Sequence, residues 1–203
     1  MKIIEDRRTP NCRRVRIFLA EKGVTLPYEQ IDIMKLDQRS EAFSALNPRQ
    51  RVPVLVLDDG RVITESVAIC RYFDALHPEP ALLGRGAYGA AVVEMWSRRV
   101  ELELFWPIAH AVRHGSPAMA PLETPQIGEW ADLNKTFAMR ALAFLNDELA
   151  TRPFIAGDDF TIADITAFVA LDFARVVRLR PPEEMTHLAR WRADIAARPS
   201  ASA

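Results

Sequence analysis

The pair Glu65-Ser66 stands where chemistry could be done. At a helix start, backbone N–H groups without an intrahelical partner join a serine hydroxyl to hold an anionic group, and the adjacent carboxylate can take an ammonium. The same pair also reads as an ordinary helix start capped by Ser66. Pro53 is the second such position. It opens a strand, where its missing N–H is tolerated, either as a plain edge-strand proline or as a fixed cis bond after Val52. Metal and disulfide chemistry find no support. The two cysteines, Cys12 and Cys70, lie far apart and lack both CxxC and Cys/His ligand spacing, so no metal is expected.

These positions must be carried by elements with tight connections. Residues 51–73, RVPVLVLDDGRVITESVAICRYF, read as a β-hairpin turning at Asp59-Gly60 and running into a helix whose apolar face is Val67, Ile69, Cys70 and Phe73. Upstream, a strand at 2–5 leads through the polar loop 6–11 into a helix with Val15, Ile17, Phe18 and Leu19 as its apolar positions, ended by Gly23. Alternation predicts a strand over 28–33, and a short helix over 40–46 is stopped by Asn47-Pro48. The order βαβαββα is that of an α/β thioredoxin-like domain, with a parallel pair joined by a right-handed crossover. His77-Pro78-Glu79-Pro80 then interrupts the chain. The expected organisation is a first domain over 1–77, a linker over 78–84 and an all-α helical domain over 85–203. Helices are expected over 87–114, with a kink or break at Pro107, and over 125–150, 161–177 and 183–197. Thr161 and Asp164 have capping-box spacing. Phe105, Met95, Trp96, Trp130 and Trp191 read as packing residues.

Composition bounds the function classes. With 203 residues, 49% of them hydrophobic and 26% charged, the chain has the profile of a soluble globular protein able to bury a sizeable core. A net charge of −1 gives no reason to expect nucleic acid or an anionic membrane as partner. Arg7, Arg8, Arg13, Arg14 and Arg16 form a local run, read as a solvated face that biases a nearby cleft towards anions. The first residues carry no apolar signal core, no segment reaches membrane-spanning length, and the sparse cysteines fit a reducing cytoplasm.

Asn47-Pro48, Val52-Pro53 and Glu65-Ser66 together, with the later run Gly157-Asp158-Asp159-Phe160-Thr161-Ile162-Ala163-Asp164 and the closing Ala196-Ala197-Arg198-Pro199, resemble the cytosolic glutathione S-transferase superfamily, here a bacterial type with a Thr-Pro-Asn loop. The resemblance spans nearly the whole chain. It implies a cis Pro53, a Val52 backbone pairing with the cysteinyl part of glutathione, and Glu65-Ser66 holding the γ-glutamyl end. The thiol would be set by the loop Thr9-Pro10-Asn11-Cys12 at the first helix start. A tyrosine mechanism is excluded, because the first tyrosine, Tyr28, comes too late. The Thr9 hydroxyl and Asn11 amide are the implied catalytic donors. Cys12 aligns with the resolving cysteine of glutaredoxins, or is simply a small packed residue. The glycyl carboxylate calls for a cation from the loops, with Arg39 and Arg51 better placed than Lys35 or Gln38. Gln50 stands where the family has glycine. Trp106, His110 and Arg113, at i, i+4 and i+7, can share one helix face and wall an electrophile pocket. The implied function is attack of enzyme-bound glutathione thiolate on a small hydrophobic electrophile by a cytoplasmic, detoxifying homodimer. Glutathione is its co-substrate. The alternatives on this fold are glutathione-dependent isomerisation, disulfide or peroxide reduction, and a non-catalytic ligand-binding or regulatory role.

Overall fold

The computed structural model describes residues 1–203 and divides them into two units, Met1–Pro80 and Ala81–Ser202. The first unit runs β1 (Lys2–Glu5), α1 (Pro10–Glu21), β2 (Tyr28–Gln30), α2 (Glu41–Leu46), β3 (Val54–Val56), β4 (Val62–Thr64) and α3 (Ser66–Leu76). It is the thioredoxin-like βαβαββα arrangement, with a sheet ordered β2-β1-β3-β4. β1 pairs parallel to β2 and antiparallel to β3, and β3 antiparallel to β4. Register decides the two cores. Ile4 opposite Val54 faces Phe43 of α2 together with Ile31, Leu46 and Val62. By alternation Ile3 and Leu55, also directly paired, face the other way. There α1 and α3 pack against each other, burying Val15, Phe18 and Leu19 on one and Ile69, Cys70 and Phe73 on the other.

Connections follow local chemistry. Gly23 ends α1 at φ 65, its N–H bonding Ala20 O while Val24 N reaches Leu19 O. β2 stops at Gln30 rather than running to residue 33, because Asp32 accepts from Met34 N and starts a 3-10 turn over Ile33–Lys35. The arginine run is only in part the solvated face that its polarity suggests: Arg7 and Arg8 are exposed. Arg14 and Arg16 are buried, and Arg16 pairs with buried Glu5 at 2.6 Å and donates to Arg7 O. Lys22, its ammonium fully enclosed, donates to Asp74 Oδ1 at 2.6 Å and to the carbonyls of His77, Pro78 and Pro80, so α1 pins the segment leaving α3.

The second unit is helical: α4 (Gly86–Arg99), α5 (Trp106–Gly115), α6 (Gly128–Glu148), α7 (Ile162–Ala174) and α8 (Thr186–Ala196). Between α4 and α5, Val100–Phe105 forms a π-helical stretch in which Trp106 N bonds Glu101 O, five residues back. This is how the chain meets Pro107, whose ring removes a donor and crowds the carbonyl four residues earlier. The expected break is therefore a widened turn just before the proline. α7 is buried around nearly its whole circumference, as befits the central helix of a bundle. Its start is the expected capping box. Asp164 Oδ2 accepts from Thr161 N (2.9 Å) and Oγ1 (3.1 Å), and Oδ1 from Ile155 N and Trp191 Nε1, each at 2.8 Å. Phe105, Trp96 and Trp191 are core. Met95 and Trp130 are 40% and 39% exposed, a correction to their reading as packing residues. No helix is long and apolar enough to cross a membrane.

Candidate functional site

Thr9 caps α1 in extended conformation and Pro10 occupies the first helical position, where its missing N–H leaves nothing unpaired. The Thr9 hydroxyl donates to Asp6 O at 2.9 Å and its N–H to the same oxygen at 3.0 Å. Its proton is thus used inside the loop. Cys12 is fully buried in the first turn, and burial pushes its thiol up to about 12 despite the Thr9 hydroxyl beside it. A thiol held that high stays neutral at physiological pH and suits a packed small residue rather than a nucleophile.

One turn further, Arg14 is 1% exposed. Its Nη1 donates to Asn11 Oδ1 at 3.1 Å and to Ser66 Oγ at 2.8 Å, and Ser66 Oγ lies 3.4 Å from Asn11 Oδ1. The N-termini of α1 and α3 therefore meet over one buried guanidinium. Ser66 is not the cap of α3. That place belongs to Glu65, at φ 68 and ψ 118, and Ser66 is the first helical residue with its hydroxyl turned to Arg14. A non-glycine residue at this φ costs about 1–3 kcal/mol and persists only where surroundings impose it. The sharp turn leaves the Glu65 carboxylate exposed beside the positive end of α3.

The loop before β3 is held from within. Buried Asn47 donates from Nδ2 to Arg51 O at 2.8 Å and accepts Arg49 N at 3.1 Å. Gln50 N reaches Asn47 O, and its side chain donates to Ser44 Oγ at 3.0 Å. Gln50 sits at φ 52, the left-handed conformation that glycine adopts freely and other residues at roughly 1–2 kcal/mol. Val52-Pro53 is cis. Arg39, in a 3-10 turn, and Arg51 are both exposed, whereas Gln38 is buried.

In the helical unit, Trp106 and His110 stack at 5.5 Å between centroids, His114 follows His110 at 6.0 Å, and Trp130 of α6 meets His110 edge-on at 5.9 Å. Burial, with His114 and Arg113 nearby, lowers the His110 pKa below the ordinary histidine value. Arg113 is tied to Glu123 at 2.9 Å. Trp106 and His110 therefore share an aromatic face, while the Arg113 cation is engaged by Glu123. Sequence reasoning missed Arg14, Trp130 and His114 as members of these clusters. Arg14 had one signal: four residues before Phe18, it falls on the buried face of α1.

Two family models match, the glutathione S-transferase N-terminal domain over residues 4–81 and the glutathione S-transferase C-terminal domain over residues 116–199. The chain is 38% identical to glutathione S-transferase 2 of Saccharomyces cerevisiae over 194 residues, 94% of this chain and 83% of that protein. It is 29% identical over 154 residues to maleylacetoacetate isomerase of Dictyostelium discoideum, 75% of this chain and 69% of the relative. Among solved structures, a glutathione S-transferase domain-containing protein from Marinobacter aquaeolei superposes with a TM-score of 0.95 at 40% identity, covering 98% of this chain and 99% of that one.

Proposed function

The chain belongs to the glutathione S-transferase superfamily and is an enzyme of it, and from that premise we propose that it transfers enzyme-bound glutathione thiolate to a small hydrophobic electrophile. The observation that carries this reading is the meeting of Asn11 and Ser66 over Arg14. The helix starts of α1 and α3 offer N–H groups to two negative groups of one ligand. In this reading Ser66, its backbone N–H and the Glu65 carboxylate hold the γ-glutamyl carboxylate and ammonium. Val52, before cis Pro53, pairs its backbone with the cysteinyl residue. Arg39 and Arg51 attract the glycyl carboxylate. The Asn11 amide and the first-turn N–H groups of α1 stabilise the thiolate, and Thr9 contributes by closing the loop that aims them. Lowering a thiol pKa from ~8.5 by two units takes about 2.7 kcal/mol of preferential thiolate stabilisation, within reach of a few such donors. Trp106 and His110 offer the electrophile an aromatic wall, and Arg113 braces that helix through Glu123.

A second reading, glutathione-dependent isomerisation, is favoured by the similarity to a maleylacetoacetate isomerase. The same thiolate would add to a conjugated double bond and leave after rotation, so the residues above serve both reactions. Turnover against a panel of electrophiles, cis-enoyl diacids and hydroperoxides, with products identified by mass, decides between them. A glutathione adduct supports transfer, and an isomer with glutathione unconsumed supports isomerisation. Oxidised glutathione alone would replace both by reduction.

The working unit in this reading is a homodimer in the cytoplasm. Leu102 and, along α6, Leu133, Phe137 and Phe144 are exposed apolar side chains, several of them lining a groove of about 340 Å³ with Pro107. Such a patch is the kind that a second copy covers.

A further inference from the structure

We propose that Arg14 is the positioning residue that makes the Asn11 amide and the Ser66 hydroxyl present donors to glutathione. The proposal rests on the glutathione reading above. A guanidinium carries five N–H donors and no acceptor, so whatever touches it must do so with an oxygen lone pair. Arg14 Nη1 reaches Asn11 Oδ1 at 3.1 Å and Ser66 Oγ at 2.8 Å, with the side chain buried.

Each contact fixes a polarity. Asn11 must turn its oxygen to Arg14, which turns its NH2 the opposite way. Ser66 spends a lone pair on Arg14 and keeps its proton to give. One protein acceptor for that proton, Asn11 Oδ1, lies 3.4 Å away, at the far end of hydrogen-bond range. A ligand carboxylate is a better acceptor. The cation also lies against Asn11 in the first turn of α1 and against Ser66, the first residue of α3, where it adds to the positive ends of both helices. The two halves of the site are thus polarised by one side chain, in favour of thiolate over thiol and of carboxylate over amide. Without the cation, the Asn11 amide and Ser66 hydroxyl are free to turn either way.

The test combines calorimetric titration of glutathione with ultraviolet titration of the bound thiol, in wild type, Arg14→Gln, Arg14→Lys, Asn11→Asp and Asn11→Ala. We expect Arg14→Gln to bind glutathione about tenfold more weakly or worse and to raise the bound thiol's pKa by about one unit, whatever its thermal midpoint. Arg14→Lys, which keeps the charge, should recover part of the thiol shift. Asn11→Asp leaves Arg14 in place and presents an acceptor where a donor belongs, and should lose more affinity than Asn11→Ala. A folded Arg14→Gln with wild-type affinity and thiol pKa overturns the proposal. If Arg14→Gln does not fold, Asn11→Asp binding as well as Asn11→Ala overturns it instead. Wild type taking up no glutathione would remove the functional reading itself, and this inference with it. Binding by wild type that is indifferent to residue 14 sinks the inference alone.

Discussion

Two buried polar nodes, one in each unit, are built on the same plan and end differently. In the helical unit the Asp164 carboxylate accepts from four groups of the protein, two on each oxygen. In the thioredoxin-like unit the Arg14 guanidinium donates to Asn11 and Ser66, the Asn11 NH2 keeps protons to give, and the Ser66 proton has only the long 3.4 Å contact to Asn11 Oδ1. The first node is closed. Burial pushes the Asp164 carboxyl upward while the donors around it pull the other way, and the node's business is to hold α7, α8 and the 155–161 loop together. The second node is open. Its charge lies at the starts of two helices, and what it leaves unspent points to a ligand. A buried charge whose neighbours are all satisfied is scaffold, and one whose neighbours keep spare donors is a candidate site.

Breaking the closed node should have the largest effect. Asp164→Ala strands the N–H groups of Ile155, Thr161 and Trp191 in the interior, and a loss of about 3–5 kcal/mol in chemical denaturation is expected. The fraction that remains folded should bind glutathione normally. Opening the second node should show mainly in binding. Ser66→Ala removes a charge-assisted hydrogen bond worth roughly 1.5–3 kcal/mol of glutathione affinity, read by calorimetry, and because it also leaves one buried Arg14 N–H without its acceptor the unfolding midpoint should fall, by less than in Asp164→Ala. Unchanged affinity in a folded Ser66→Ala would reduce the pair at the start of α3 to a helix terminus.

The closed node was legible in the sequence because its parts are local: Thr161 and Asp164 stand three apart, the spacing of a capping box. The hairpin, its Asp59-Gly60 turn and the apolar face of α3 were legible for the same reason. Glu65, Ser66 and Asn11 were picked out, but what joins them was not. Arg14 reaches Ser66 across 52 residues, and its position within a run of arginines read as solvated surface. Lys22 and Asp74 are likewise 52 apart. No periodicity within one helix reveals such partners, since they depend on how α1 and α3 dock. Ser66 was misread as a cap because the left-handed Glu65 shifts the helix start by one residue, and an acidic residue there gives no sign of a positive φ.

Smaller effects sharpen the comparison. Asn11→Ala should raise the bound thiol's pKa by about one unit, roughly 1.4 kcal/mol, and slow turnover at neutral pH with recovery in alkali. Thr9→Ala should do less, since its proton is already given to Asp6. Cys12→Ala should change glutathione affinity and turnover least of all. The buried Cys12 thiol, pushed up to about 12, should resist iodoacetamide in the native protein at pH 7 to 9 and react only on unfolding, as mass spectrometry can record. Rapid native labelling at Cys12 would contradict its assignment as a packed residue.

The central claim is that the open node holds an anion made from glutathione. Its most direct test is ultraviolet titration of the thiolate in the wild-type complex. The account predicts saturable binding and a bound-thiol pKa well below the ~8.5 of a free thiol. Glutathione that fails to bind, or binds with its thiol pKa unshifted, would contradict it.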